Sequence, residues 1–298
     1  MASEHYLSFD YVIKQLSYYY GIPTFILGLV GACLNIIVFL SLNTFRQSSC
    51  AFYLLIMSIF DLGRLLFFSL QNILSLGFDF DFRKLSIACC KISFGVSVTC
   101  ILISTTCLCL AILDQYFATS NYQKCRQWSN IKLTHCLATI FVILWILHGI
   151  PYYIFYTHSF ISTTNQTVCQ SSNDIFSQYV IYGQILTLRN LIPILTVIFG
   201  LLAYYNARNL VHRTVPLVRR ELDKQLTVMV LIQILISFST HLPYSIQTIH
   251  KQFHTNENDR NFRKKMDFAS TVTLYFSLLS YSVRTILFFR NSKFYFYL

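Results

Sequence analysis

Residues 90–116, CKISFGVSVTCILISTTCLCLAILDQY, open on a cysteine, close on Asp114-Gln115-Tyr116 and carry no charge between Lys91 and Asp114. At about 1.5 Å per residue, a helix from Cys90 to Asp114 spans roughly 36 Å, enough to cross a bilayer core of about 30 Å and leave its ends on opposite faces. The rest of the chain is arranged around this helix.

The composition agrees. Of 298 residues 55% are hydrophobic and 12% charged, and mean hydropathy is +0.53, a balance that belongs to a membrane protein. Residues 1–20 are polar and aromatic with Glu4, Asp10 and Lys14, which excludes a cleavable signal and leaves the first apolar span as the targeting signal. The net charge of +11 comes from basic residues in short loops between apolar runs, a pattern that fits anionic lipid and a cytoplasmic partner and not nucleic acid. Cys33, Cys100, Cys107 and Cys109 fall inside apolar spans as small hydrophobes. Pairing is left to Cys89, Cys90 and Cys169.

In chain order the apolar spans are about 21–42 with Asn35, about 51–76 with Asp61 and Arg64, the opening stretch, about 135–156 with Trp145 and Pro151, about 179–205 with Arg189 and Pro193, about 225–249 with His241 and Pro243, and about 267–289 with Arg284. This predicts an all-α membrane protein, a seven-transmembrane helix bundle. Its parts are an N-terminal segment 1–20, a bundle 21–290 and a short tail 291–298. Between the fourth and fifth spans lies a polar segment, 157–177, with Cys169 and the sequon Asn165-Gln166-Thr167. Loop lysines and arginines are nearly balanced between the two sides and orient the chain weakly. Glycosylation at Asn165 and disulfide chemistry both belong outside the cytosol, so the N-terminus is expected outside and the tail inside, in the plasma membrane. No internal repeat of the transporter type is visible.

Asn35, Asp61, Cys90 heading the third span with Asp114-Gln115-Tyr116 at its foot, Trp145, Pro193 and Pro243 supply one landmark per helix in order. In this the chain resembles a rhodopsin-like (class A) G-protein-coupled receptor over nearly its whole length, closest in character to peptide-type receptors. The departures are Gln115 for the family's arginine, His241 for its tryptophan, and Arg284-Thr285-Ile286-Leu287-Phe288 for its Asn-Pro-x-x-Tyr. All three fall on the moving parts of the family's switch, so they bear on activation and not on the fold.

The resemblance implies a Cys90–Cys169 disulfide, with Cys89 as the rival partner. It implies an interior polar network of Asn35, Asp61, Ser104 and Arg284, in which Asp61 otherwise pairs with Arg64 one turn along its own helix. It implies switch positions Pro193, His241, Pro243 and Phe288, and a G-protein face of Asp114, Gln115, Tyr116, Arg219, Arg220 and Asp223. The ligand pocket is expected at Ser97, Tyr179, Tyr182 and Tyr244. No carboxylate stands in the third span, which argues against a monoamine, and no lysine in the seventh, which excludes a retinal Schiff base. The expected ligand is a peptide or an acidic small molecule from outside, and the expected partners are a heterotrimeric G protein and membrane lipid.

Neither a phosphate loop, nor a metal-ligand pair at helical spacing, nor a nucleophile beside a base is present, so no enzyme, cofactor or metal site is expected. Two other readings compete. A seven-helix transporter or channel would use Asp61, Arg64, Arg189 and Arg284 at the midplane. A receptor homologue would capture ligand without signalling, as Gln115 permits.

Overall fold

The structure is a computed structural model that describes residues 9, 11–41, 48–120, 122–161, 166–183, 189–208, 217–253 and 260–292; of these, the side chains of 161, 166, 189, 217–226, 252, 260, 261, 263 and 284–292 are outside the description. Seven long helices account for most of it. They are α1 (Tyr11–Ser41), α2 (Ser49–Gly77), α3 (Ile87–Thr119), α4 (Ile131–Phe155), α5 (Arg189–Arg208), α6 (Leu217–Phe253) and α7 (Arg260–Ser292). Among the described residues, α1 to α4 and the stretches Asn190–Arg208 of α5 and Thr227–Lys251 of α6 are each long and apolar enough to cross a membrane. The chain is a multi-pass, predominantly helical membrane protein. Among the described residues the one departure from helix and turn is a hairpin, β1 (Tyr156–Ile161) and β2 (Gln166–Ser171), antiparallel with Tyr156 opposite Ser171 and His158 opposite Cys169.

α3 is the axis. It packs against α2, α4, α5 and α6, while α7 lies between α6 and α1 and closes the ring. In its most apolar stretch 61% of residues are buried, against 22% for α4, whose Ile143, Leu144, Ile146, Leu147 and Ile154 point outward. A belt of that kind has no role in water and a plain one against acyl chains.

Small polar side chains set the helix contacts. The Trp145 indole N–H donates to Thr106 Oγ1 at 3.0 Å between α4 and α3, Tyr275 of α7 donates its hydroxyl to Ser17 of α1 at 2.7 Å, and Ser282 donates to the Thr24 carbonyl at 2.9 Å. Such bonds replace the hydrophobic drive that helices lack within lipid. Gly21 faces the Tyr275 ring so closely that a Cβ there would sit 2.8 Å from Cε1, so a side chain would push α7 away.

α1 begins ten residues before the apolar span read from the sequence, and a π turn, Ser17–Gly21, interrupts it. A second π turn, Leu65–Ser69, interrupts α2, with the Leu70 N–H donating to the Leu65 carbonyl. Ser48, Ser86 and Asn130 cap the starts of α2, α3 and α4 through their side-chain oxygens. Pro151, Pro193 and Pro243 lie inside α4, α5 and α6.

Candidate functional site: a cavity at the hairpin end and a polar column below it

The hairpin fixes one end of the bundle. Cys90, fully buried at the head of α3, is joined to Cys169 of β2 with Cα atoms 5.8 Å apart, and Cys89 is a free thiol. The pairing expected by resemblance is therefore the one formed. Around it Tyr152, Tyr156 and Phe176 make a buried aromatic cluster, with Phe94 stacked on Tyr156 at 4.5 Å. The His158 Nε2–H donates to the Arg83 carbonyl at 2.7 Å, so the hairpin is held to the loop before α3 as well as to α3 itself. In that loop, burial raises the Asp81 pKa, but the hydrogen bonds, the Arg83 charge and Lys84 outweigh it, so the carboxyl lies below its ordinary value. The lowered value means that the Asp81–Arg83 pair survives mild acid and contributes stability that is lost only as pH falls through the folded-state pKa.

Beside the hairpin a cavity of about 550 Å³ opens between α1, α2, α6 and α7. Its rim carries Lys14 with Asp79 at 2.5 Å and Lys251 with Asp267 at 2.6 Å, and its wall carries Asn72, Ser75, Tyr244 and Thr248. Of the expected pocket residues only Tyr244 lines it. Ser97 is buried in α3, Tyr179 meets His148 of α4 at 2.5 Å through its hydroxyl, and Tyr182 meets Phe253 edge-on at 6.5 Å. These three positions share one end of the bundle with Tyr244, but the cavity sits on the α1–α2–α7 side while they lie toward α4 and α5.

Below the cavity runs the polar column. Asp61 is 5% exposed and accepts a hydrogen bond from Ser104 of α3. With Asn35, Ser58 and Tyr281 it lines a small void between α1, α2 and α7, and the Asn35 Oδ1 has no partner among the described residues. Asn35, Asp61 and Ser104 are thus brought together as expected. Arg284 belongs to α7, but its side chain lies outside the described residues, as does that of Phe288. Asp61 and Arg64 form no ion pair; Arg64 turns instead toward Phe68, 4.9 Å from its ring centroid. The alternative pairing along one helix is therefore not formed.

Pro193, Thr196, Ser237 and His241 line a narrow space of about 40 Å³ between α3, α5 and α6. The His241 Nδ1–H donates to the Ser237 carbonyl at 2.9 Å, and its ring lies 6.3 Å from that of Tyr281. Pro243 lies two residues further along α6.

At the opposite end Asp114 accepts from Ser129 at 2.8 Å, Tyr116 packs on Phe199 at 5.8 Å, and Gln115, 1% exposed, accepts at Oε1 from the Thr227 hydroxyl of α6 at 2.9 Å. Nothing in the sequence distinguished Thr227 or Ser129, since a helical Thr or Ser is ordinarily satisfied by its own backbone. The side chains of Arg219, Arg220 and Asp223, and Asn165 of the sequon, lie outside the described residues. Among the described residues no group of three or more metal-ligating side chains comes together. No protein-family model matches the chain, and no curated protein matches it in sequence.

Proposed function

We propose that the chain is a seven-transmembrane receptor of the rhodopsin-like type in the plasma membrane, with α7 as its seventh span, the hairpin end outside and the Asp114 end facing a heterotrimeric G protein. The supporting observation is the double placement of α6. Its Tyr244, Thr248 and Lys251 line the hairpin-end cavity, and its Thr227, roughly 26 Å away along the helix, bonds to Gln115 of α3. Pro243 interrupts the helix between these points, where a bend needs little energy. A ligand that fits the cavity better when α6 is tilted outward biases the two ends together, by its differential affinity for the two forms. The cavity's paired charges suit a peptide or a small acid better than an apolar ligand.

In this reading the Gln115–Thr227 hydrogen bond is a neutral latch on the inactive form, worth about 0.5–1.5 kcal/mol. Thr227→Val keeps the shape and removes the donor, so ligand-independent signalling should rise about 2- to 10-fold. Gln115→Arg should also raise signalling from a weak basal level, by offering the G protein a cation. Both are read with a panel of G-protein activation sensors in cells, alongside ion and substrate flux. Flux with silent sensors in all three proteins would replace this reading with a transporter or channel. Strong wild-type signalling abolished by Gln115→Arg would refute the assigned role of Gln115.

A further inference from the structure

Arg64 is 2% exposed, in the middle third of α2, and among the described residues it makes neither an ion pair nor a hydrogen bond. Its Nε–H is wholly buried and has no acceptor. A guanidinium in a membrane span that lacks a counter-charge is among the costliest groups a fold can hold, and such a residue marks a binding or transport function more often than a structural one. Five residues on, Ser69 is also completely buried and its Oγ has no partner. The π turn Leu65–Ser69 begins directly after Arg64 and ends on Ser69, a deviation from helix geometry that recurs at functional sites. Two buried donors without acceptors, flanking a widened turn, describe a place built for a group that brings acceptors.

We infer that Arg64 anchors an anion site inside the bundle whose ligand group is a carboxylate. The Phe68 ring covers the guanidinium at 4.9 Å by a cation–π contact, which stabilises the charge and leaves the in-plane N–H edge as its hydrogen-bonding surface. A planar two-oxygen acceptor matches that edge in a way that a spherical ion does not. Asp61 does not fill this role, since it accepts from Ser104 and lies beyond ion-pair distance. Toward the hairpin end α2 continues with Gln71, which accepts from Ser93 of α3, and with Ser75, which lines the cavity roughly 16 Å above Arg64. Gln71 and Ser75 thus place polar side chains along α2 between the guanidinium and the cavity. The inference deepens the receptor reading, on which it rests for the side from which the ligand comes, and it assigns the acid of an acidic ligand to one residue.

The test uses the purified full chain in detergent, its thermal unfolding followed as sodium fluoride is replaced by sodium formate at constant ionic strength. Chloride replaces fluoride in a second arm and neutral formamide is added in a third. The wild type should show a saturable rise in Tm of several degrees with formate and none with formamide or chloride. Arg64→Gln and Arg64→Met should lose that rise. Without formate, Arg64→Met should unfold no lower than the wild type, because the uncompensated charge is gone, whereas a purely structural arginine would leave a weakened fold. A formate response that persists in Arg64→Met, no response in the wild type, or an equal response to chloride would each overturn the carboxylate site. No G protein is present in this assay. A chain that binds formate through Arg64 but never activates a G protein sinks the receptor reading alone, and one that signals but ignores formate sinks this inference alone.

Discussion

Cys169→Ser should remove most of the folded protein recovered in detergent, Cys90→Ser should do the same, and Cys89→Ser should leave the yield near the wild type. The Cys90–Cys169 bond joins residues 79 apart in sequence, and in the chain-entropy description closing a loop of that size stabilises the fold by about 4–5 kcal/mol. Marginal stability of about 5–15 kcal/mol leaves little after such a loss. The local geometry adds to it. β2 hangs between the disulfide and its ladder with β1, and β1 in turn carries His158 to the Arg83 carbonyl and Tyr156 to Phe94. Cys90 is itself fully buried among Tyr152, Tyr156 and Phe176, so a serine there also places a hydroxyl in an apolar cluster. The double change Cys90→Ser/Cys169→Ser should cost little more than either single one, because both remove the same bond. Full yield from Cys169→Ser, or a loss from Cys89→Ser as large as from Cys90→Ser, would show that the bond does not hold this end of the bundle.

Much of this architecture could be read from the chain because bilayer physics leaves few options. Uncharged runs of membrane-crossing length can only be helices, and charges such as Lys91 and Asp114 at their ends mark where each emerges. Polar residues inside those runs need partners, and Asp61 and Ser104, which the resemblance implied together, meet. The hairpin was not expected. The segment 157–177 has no strict alternation of apolar and polar residues, and its strands are organised by Cys169 and by Tyr156 packing on Phe94, which are tertiary facts. The π turns at Ser17–Gly21 and Leu65–Ser69 leave no mark in composition either. The cavity falls at Asn72, Ser75 and Tyr244 rather than at Ser97, Tyr179 and Tyr182, because α3 is enclosed by its neighbours and the opening lies between α1, α2, α6 and α7. A neutral contact such as that of Gln115 with Thr227 is equally silent, since neither residue type is unusual in a helix.

A second large energetic effect should come from the carboxylate at the centre of the bundle. Asp61 is 5% exposed, and a buried carboxylate needs both hydrogen-bond donors and a counter-charge. Ser104 supplies a donor but no charge, and Arg64, the nearest cation in sequence, is turned to Phe68 and forms no ion pair with it. The resemblance to rhodopsin-like receptors implies that Arg284 of α7 stands opposite Asp61, where that family has an asparagine, and that the two form the interior ion pair; the Arg284 side chain lies outside the described residues. Arg284→Asn should then strand Asp61 and lower stability by about 3–5 kcal/mol, and Asp61→Asn should strand Arg284 at a similar cost. In the double variant neither charge is left alone, and two amides can hydrogen-bond to each other, so most of the loss should be recovered. Ser104→Ala should cost less, about 1.5–3 kcal/mol, since it removes one hydrogen bond to a charged group and leaves the pair intact. A guanidinium paired with the carboxylate leaves no place for a sodium ion, so on this expectation sodium should neither stabilise the wild type nor shift ligand affinity. The measurement is thermal unfolding in detergent of the two single variants and the double one. Losses that simply add, or rescue of Asp61→Asn by Arg64→Asn instead, would place the counter-charge elsewhere and show that α7 is aligned wrongly at Arg284.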